Sequence, residues 1–317
     1  MTSFIFVGRR LFAMVVTLLV ASFVVFGSLY LAPGSPITFL TAGRTVSPAA
    51  VAALNREYGL NRPFPIQFIH WLGKILQGNL GTSIVYKTSV VSLLGGRALN
   101  TLFLITYAGI LIVVIGLMVG IIAALKPGWI DSVSMVGATV GMAIPGFVAA
   151  VVLTLLFAVD AHVFPVFGTG TGLGGRFVHL TLPSIALALS SVAYVARLSR
   201  SAVRNELRAD HVETAISRGL PHATVLRSHV FRNAMIPITT VSALAVASLI
   251  AGSVIIEEAF QLNGLGSYLV SAVQQKDFSV VQAISLLFVS AFIVINTLVD
   301  ITYAILDPRL GRDSRTR

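Results

Sequence analysis

Six stretches of this chain are long and apolar enough to cross a lipid bilayer, and they limit the fold more than any other feature. They cover residues 11–31, about 101–125, 133–159, 178–196, 236–256 and 280–306, and none contains Lys or Arg. About 20 helical residues at 1.5 Å each match a hydrocarbon core about 30 Å thick. Lipid offers no hydrogen bonds, so a spanning backbone must satisfy itself, and the helix does so within one segment. The composition agrees: 56% of the 317 residues are hydrophobic and 11% charged, far from the balance of a soluble domain. An all-α, polytopic membrane protein with six transmembrane helices is therefore expected.

The first span has the position of a signal peptide but not its form. Its apolar run exceeds the roughly 7 to 15 residues of a signal core, and Pro33 and Pro36 stand where a small-residue cleavage site would lie. A retained anchor helix is expected. The net charge of +10 invites a nucleic-acid reading, but the cations fall between apolar spans rather than on an amphipathic soluble surface. Topology explains them better. With a cytoplasmic N-terminus, fourteen Lys and Arg lie inside, seven of them between Arg197 and Arg232, against Arg176 and Lys276 in the short outside loops. The six in residues 33–97 lie in a loop long enough to translocate regardless of charge. Both termini are then cytoplasmic, as is the segment 197–235.

Within that segment, residues 210–237 read DHVETAISRGLPHATVLRSHVFRNAMIP, polar and basic between two apolar runs. Val212, Ala215, Ile216, Gly219 and Leu220 recur at helical spacing and form one face of a short helix. Gly219 suits the left-handed position that ends a helix, and Pro221 opens the next, so the segment reads as helix, stop, helix. A helix shorter than about 12 residues does not stand alone and needs packing. Its apolar face requires a partner.

Residues 33–97 are polar and rich in aromatics, and form an extramembrane subdomain between the first two spans. A helical patch is expected near residues 48–58, and Phe64, Phe68, Trp71, Leu72 and Ile75 form a stripe that packs the loop onto the bundle. In the third span Pro145 should kink or break the helix, with Gly141 and Gly146 permitting close approach; such a helix lines a path or merely packs. Charges within spans are few. Asp300, with Asn296 one turn earlier, can bond across a helix interface or relay protons, the structural role being favoured. Glu257 and Glu258 end the fifth span as rim charges or contacts for a binding protein.

No catalytic constellation emerges. The only Gly-Lys pair, Gly73-Lys74, lacks the spacing that cradles phosphates, so the chain is not expected to hydrolyse ATP. His211, His222 and His229 have neither the carboxylates nor the spacing of a metal site, no serine sits in a nucleophile elbow, and there is no cysteine.

Several motifs carry a family resemblance. Glu213, Thr214 and Ala215 with Gly219 and Leu220, followed by RNAMIP at 232–237 including Ile236 and Pro237, resemble the EAA loop through which permeases of bacterial ABC importers contact their ATPases. IPGF around Pro145 and Phe147, HLTLPSIALALS at 179–190, EEAFQLNGLG at 257–266, QKDFSVVQ at 275–282 and NTLVDITYAILDPRL at 296–310 extend it over nearly the whole chain. The string from 58 to 83 is similar to the first external loop of dipeptide and oligopeptide permeases of the B type. Ser35 and Asn79 replace aspartates usual in that family, and Asn263 stands where proline is common.

The resemblance implies a type I importer permease fold: an N-terminal segment and first helix (1–32), an external subdomain (33–97), a five-helix core (98–308) with the coupling loop at about 197–235, and a cytoplasmic tail (309–317). It also implies a second homologous permease, two ABC ATPase subunits or one fused ATPase, and an extracytoplasmic binding protein that delivers peptide. No cofactor is expected on this chain, with ATP and magnesium on the ATPases, and no nucleic acid. Related permeases handle nickel, glutathione and other small solutes. A secondary transporter or channel is the alternative of another class, disfavoured by the scarcity of carboxylates within spans.

Overall fold

The computed structural model describes residues 2–31, 37, 41, 47–57 and 60–306. Ser35 and the tail from residue 307 lie outside the described residues. The elements are α1 (Thr2–Leu31), α2 (Pro48–Glu57), α3 (Phe64–Leu76), α4 (Val90–Leu125), α5 (Trp129–Ala143) and α6 (Gly146–Leu153, continued by wide turns over Thr154–Asp160). There follow α7 (Gly172–Leu207), α8 (Asp210–Ser217), α9 (His222–Ala259), α10 (Leu265–Gln274) and α11 (Phe278–Leu306). Among the described residues there is no strand, only one bridge between Thr82 and Ser89.

Among the described residues five helices are long and apolar enough to span, and the spans number six if the broken pair α5–α6 counts as one. The break is at Pro145, where the two halves meet at 103°. Proline has no N–H, so the Gly141 carbonyl loses its helical donor. The Ser190 hydroxyl from α7 takes up the loss, reaching the Gly141 carbonyl at 3.4 Å and that of Ile144 at 3.2 Å. The IPGF motif and the last residue of HLTLPSIALALS thus meet at one elbow.

Helices α4 and α7 have 36 residues each, about 54 Å of helix, and project well beyond a bilayer core about 30 Å thick. Accordingly α4 starts at Val90, inside the segment assigned to the external loop by sequence. These two helices pack with α9 around Leu104, Ile112, Leu180, Val195, Leu249 and Ile256. Small residues set the separation, as lipid tails provide no hydrophobic drive between helices. A Cβ on Gly120 would lie 2.5 Å from the Ala196 carbonyl oxygen and 2.6 Å from Ser199 Cβ.

Helix α1 lies against α11, and Arg10 pairs with Asp300 at 2.5 Å. This is a bond across a helix interface, as expected for Asp300, whereas the Asn296 amide bonds the Phe292 carbonyl on its own helix at 2.8 Å. Asp300 therefore has a partner on another helix, consistent with a structural role. The predicted aromatic stripe of α3 packs on α1: Phe64 and Phe68 meet Phe23 edge-on with centroids 5.4 and 5.3 Å apart, and Trp71 lies 5.3 Å from Phe26.

Farther along, buried Asp277 accepts from the Ser83 hydroxyl and from the backbone N–H of Ile84 at 3.2 Å and Val85 at 3.4 Å. That carboxylate ties the loop ahead of α4 to the turn between α10 and α11. Asn79, where the family has Asp, accepts the Gly81 N–H at 2.9 Å. An amide oxygen makes this turn as a carboxylate would, so the departure is chemically mild.

Candidate coupling site

One end of the bundle gathers the C-termini of α4 and α7, the start of α5, the short helix α8 and the start of α9. Helix α8 is eight residues long, with Asp210 and Glu213 in its first turn, where the helix dipole favours negative charge. Its end is a Schellman motif: the Leu220 N–H bonds the Ala215 carbonyl at 3.3 Å, and the Gly219 N–H bonds that of Ile216 at 2.9 Å. Gly219 has φ +74°, the left-handed region only glycine enters freely. Pro221 then caps the start of α9. The helix, stop, helix pattern stands as the sequence predicts it.

The apolar face divides in a way periodicity does not reveal. Val212 and Ala215 are buried, packed with Val203 of α7 and Val225, Val230, Ala234 and Ile238 of α9. Ala215 therefore does not press into a partner, as its place in the stripe implied; it anchors α8 to its own chain. Ile216 and Leu220 remain exposed, at 57% and 39%. Glu213, Thr214, Arg218 and Gly219 are exposed beside them, and among the described residues Glu213 has no ion-pair partner. The result is a small apolar knob rimmed by one acid and one base, on a helix held from behind. Ile236 and Pro237 lie within α9, about 20 Å of helix beyond its start, with Pro237 exposed and Ile236 half-buried.

Beneath the knob, Asp131 in the first turn of α5 binds two arginines of α7. Arg200 grips it with two nitrogens, Nη2 to Oδ2 at 2.7 Å and Nε to Oδ1, and Arg204 donates to Oδ2 at 2.9 Å. Arg204 also reaches the Ala123 carbonyl near the end of α4 at 3.5 Å. His211 of α8 lies 3.5 Å from Glu206 and contacts Asn233 at 3.2 Å. The arginines are evident in the sequence but their partner, 69 and 73 positions away, is not. Among the described residues no group of His and carboxylates could hold a metal ion.

At the opposite end, Glu257 is 1% exposed, which corrects its assignment as a surface contact. Its carboxylate accepts from Thr101 Oγ1 at 2.6 Å, the Gly266 N–H at 2.6 Å and the Ser267 N–H at 3.1 Å, capping the start of α10. Such groups are buried only when their bonding is met inside the chain. Asn263 contributes its carbonyl to the Asn100 amide at 2.8 Å, so the turn forms without the usual proline. Glu258 remains exposed. The spacing Glu257, Gly264, Gly266 is the signal that would have located this knot in sequence. At the elbow, Pro145 and Phe147 are both exposed, Phe147 at 55%.

Comparison with known proteins identifies the family. Residues 116–312 match the family described as the binding-protein-dependent transport system inner membrane component, and residues 1–91 match that family's N-terminal region. A probable peptide ABC transporter permease of Sinorhizobium fredii is 33% identical over 310 residues, covering 96% of this chain and 99% of the relative. The glutathione transport system permease protein GsiC of Pectobacterium atrosepticum is 36% identical over 303 residues, covering 95% and 97%. The crystal structure of an amino acid ABC transporter with histidines aligns with a TM-score of 0.55 at 18% identity, over 74% of this chain and 98% of that one, a likeness of fold. The chain thus belongs to the inner-membrane permease components of binding-protein-dependent ABC importers.

Proposed function

We propose that this permease carries short peptides across the cytoplasmic membrane, driven by ATPase subunits that dock on α8. The observation that carries the coupling reading is the division of α8. Val212 and Ala215 fix it to α7 and α9, while Ile216, Leu220 and Glu213 face outward beside the positive-φ Gly219. A surface helix anchored on one side with apolar residues on the other fits a partner groove. The partners on this reading are a second homologous permease, two ATPases or one fused ATPase carrying ATP and magnesium, and a binding protein outside the membrane. Pro145 and Phe147 at the elbow would border the path, and Glu258 is the acid left exposed to meet a binding protein. The second reading, glutathione, is favoured by the GsiC relatives, and glutathione is itself a short peptide.

The substrate is tested in proteoliposomes holding the complete transporter and its binding protein. ATP-dependent uptake of labelled di- and tripeptides is expected, undiminished by a hundredfold excess of glutathione. Uptake of glutathione with none of dipeptide would replace the first reading by the second.

Orientation is tested on the native background, which has no cysteine. The fourteen-to-two distribution of basic residues supports a topology with both termini and α8 in the cytoplasm and residues 33–97 outside. Ser47 and Ser228 are both exposed, so single cysteines there are open to a thiol reagent. An impermeant maleimide added to cells with a permeabilised outer barrier is expected to label Ser47→Cys and leave Ser228→Cys untouched. The reverse pattern would invert the topology.

A further inference from the structure

We infer that Asp131, through its grip on Arg200 and Arg204, is a positioning residue that makes α5, α7 and α8 move as one body, so that a displacement of α8 arrives at the elbow at Pro145. The inference rests on the coupling reading above and concerns how force leaves the docking helix rather than how it enters. Helix α7 meets its neighbours along a line. Val203 packs with Val212 and Ala215 of α8. Arg200 and Arg204, one helical turn apart, clasp Asp131 at the start of α5. At the far end of α5, a Cβ on Gly141 would lie 3.3 Å from Ala193 Cβ, and Ser190 reaches the Gly141 and Ile144 carbonyls at the elbow.

The apolar contacts between α5 and α7 are sums of individually small, non-directional attractions. A planar guanidinium holding both oxygens of one carboxylate is directional and resists both sliding and rotation. The group is sheltered, with side-chain exposures of 13% for Asp131 and 25% for each arginine, so salt screens it less than an open surface pair. The other face of α5 exposes Val133, Val136 and Val140 and, among the described residues, offers nothing comparable. Beyond the elbow, α6 departs at 103°, and the backbone there lacks the N–H that would continue the helix. The clasped segment ends at this break, which Ser190 ties back to α7.

The test uses the complete transporter with its binding protein in proteoliposomes, reading uptake, ATP hydrolysis and retention of the ATPases. Asp131→Asn is expected to keep the ATPases and to hydrolyse ATP within about twofold of wild type, while solute carried per ATP falls at least tenfold. Asp131→Glu, which keeps the charge, is expected to regain at least a third of that ratio. If Asp131→Asn does not fold into the membrane, Arg200→Lys retains the charge but not the two-point grip and is read the same way. A wild-type ratio of uptake to hydrolysis would overturn the inference. So would loss of the ATPases, which would make the cluster part of the docking surface. Either result leaves the docking role of α8 to be judged separately at Gly219.

Discussion

Gly219→Asp is expected to abolish uptake while leaving the membrane bundle folded and at normal levels. The reasoning separates strain within this chain from conflict with a partner. At φ +74° an L-residue pays roughly 1 to 2 kcal/mol, and Asp and Asn pay least because their short polar groups bond locally. Among the described residues nothing beyond its chain neighbours lies within 4 Å of a Cβ built at Gly219, so the fold itself makes room. The helix is also held by Val212 and Ala215, buried on the other side. What remains is the outer surface: a carboxylate there doubles the negative charge already contributed by Glu213 and adds bulk next to Leu220. Gly219→Asn, nearly the same shape without charge, separates the two effects and is expected to retain more uptake than Gly219→Asp. The measurements are membrane abundance, co-purification of the ATPase subunits and uptake. Normal transport by Gly219→Asp with the ATPases attached would reduce α8 to an ordinary loop helix.

The architecture was legible in sequence because lipid leaves a spanning backbone little choice. Runs of apolar residues without Lys or Arg located every span, and Pro145 located the break, since a missing N–H is a local fact. The size of the bend was not legible, because it depends on Ser190 of another helix accepting the task of Pro145's absent donor. The same distinction runs through the coupling site. Gly219 and Pro221 act within a few residues and were read correctly, whereas Ala215 and Ile216, adjacent in sequence and equally apolar, go to opposite sides of α8. Periodicity assigns a stripe but not which edge of it the chain's own helices cover. Asp300 and Glu257 illustrate the limit for charges. Sequence places Asp300 within a span and Glu257 at a rim, yet the partners, Arg10 at 290 positions and Thr101 at 156, are supplied by helix packing alone.

Glu257→Ala is expected to be the most destabilising single truncation at the end of the bundle opposite α8. The carboxylate is fully buried and serves three donors: Thr101 Oγ1 on one oxygen, and the N–H groups of Gly266 and Ser267 on the other. Removing it strands two backbone donors in the first turn of α10 and takes from Thr101 the acceptor of its hydroxyl. At about 1 to 3 kcal/mol for each buried unsatisfied group, the sum is about 3 kcal/mol or more. Glu257→Gln should cost much less. Its amide oxygen can still accept from Gly266 and Ser267, while its NH2 faces Thr101, whose hydroxyl oxygen can accept as well as donate. Gly266→Ala attacks the same knot from the other side. A Cβ there would lie 2.6 Å from Val254 Cα and 3.0 Å from Glu257 Oε2, and backbone atoms of α9 cannot yield as a side chain can. Thermal unfolding of the detergent-solubilised transporter, followed by size-exclusion fluorescence, is expected to rank wild type, Glu257→Gln, and then the two alanine variants well below. The carboxylate also joins α4, α9 and α10 through one side chain, so the alanine variants should lose uptake even where some folded protein survives. A Glu257→Ala transporter as heat-resistant as wild type would mean that the two stranded N–H groups find other acceptors, and that the knot is not what holds α10 in place.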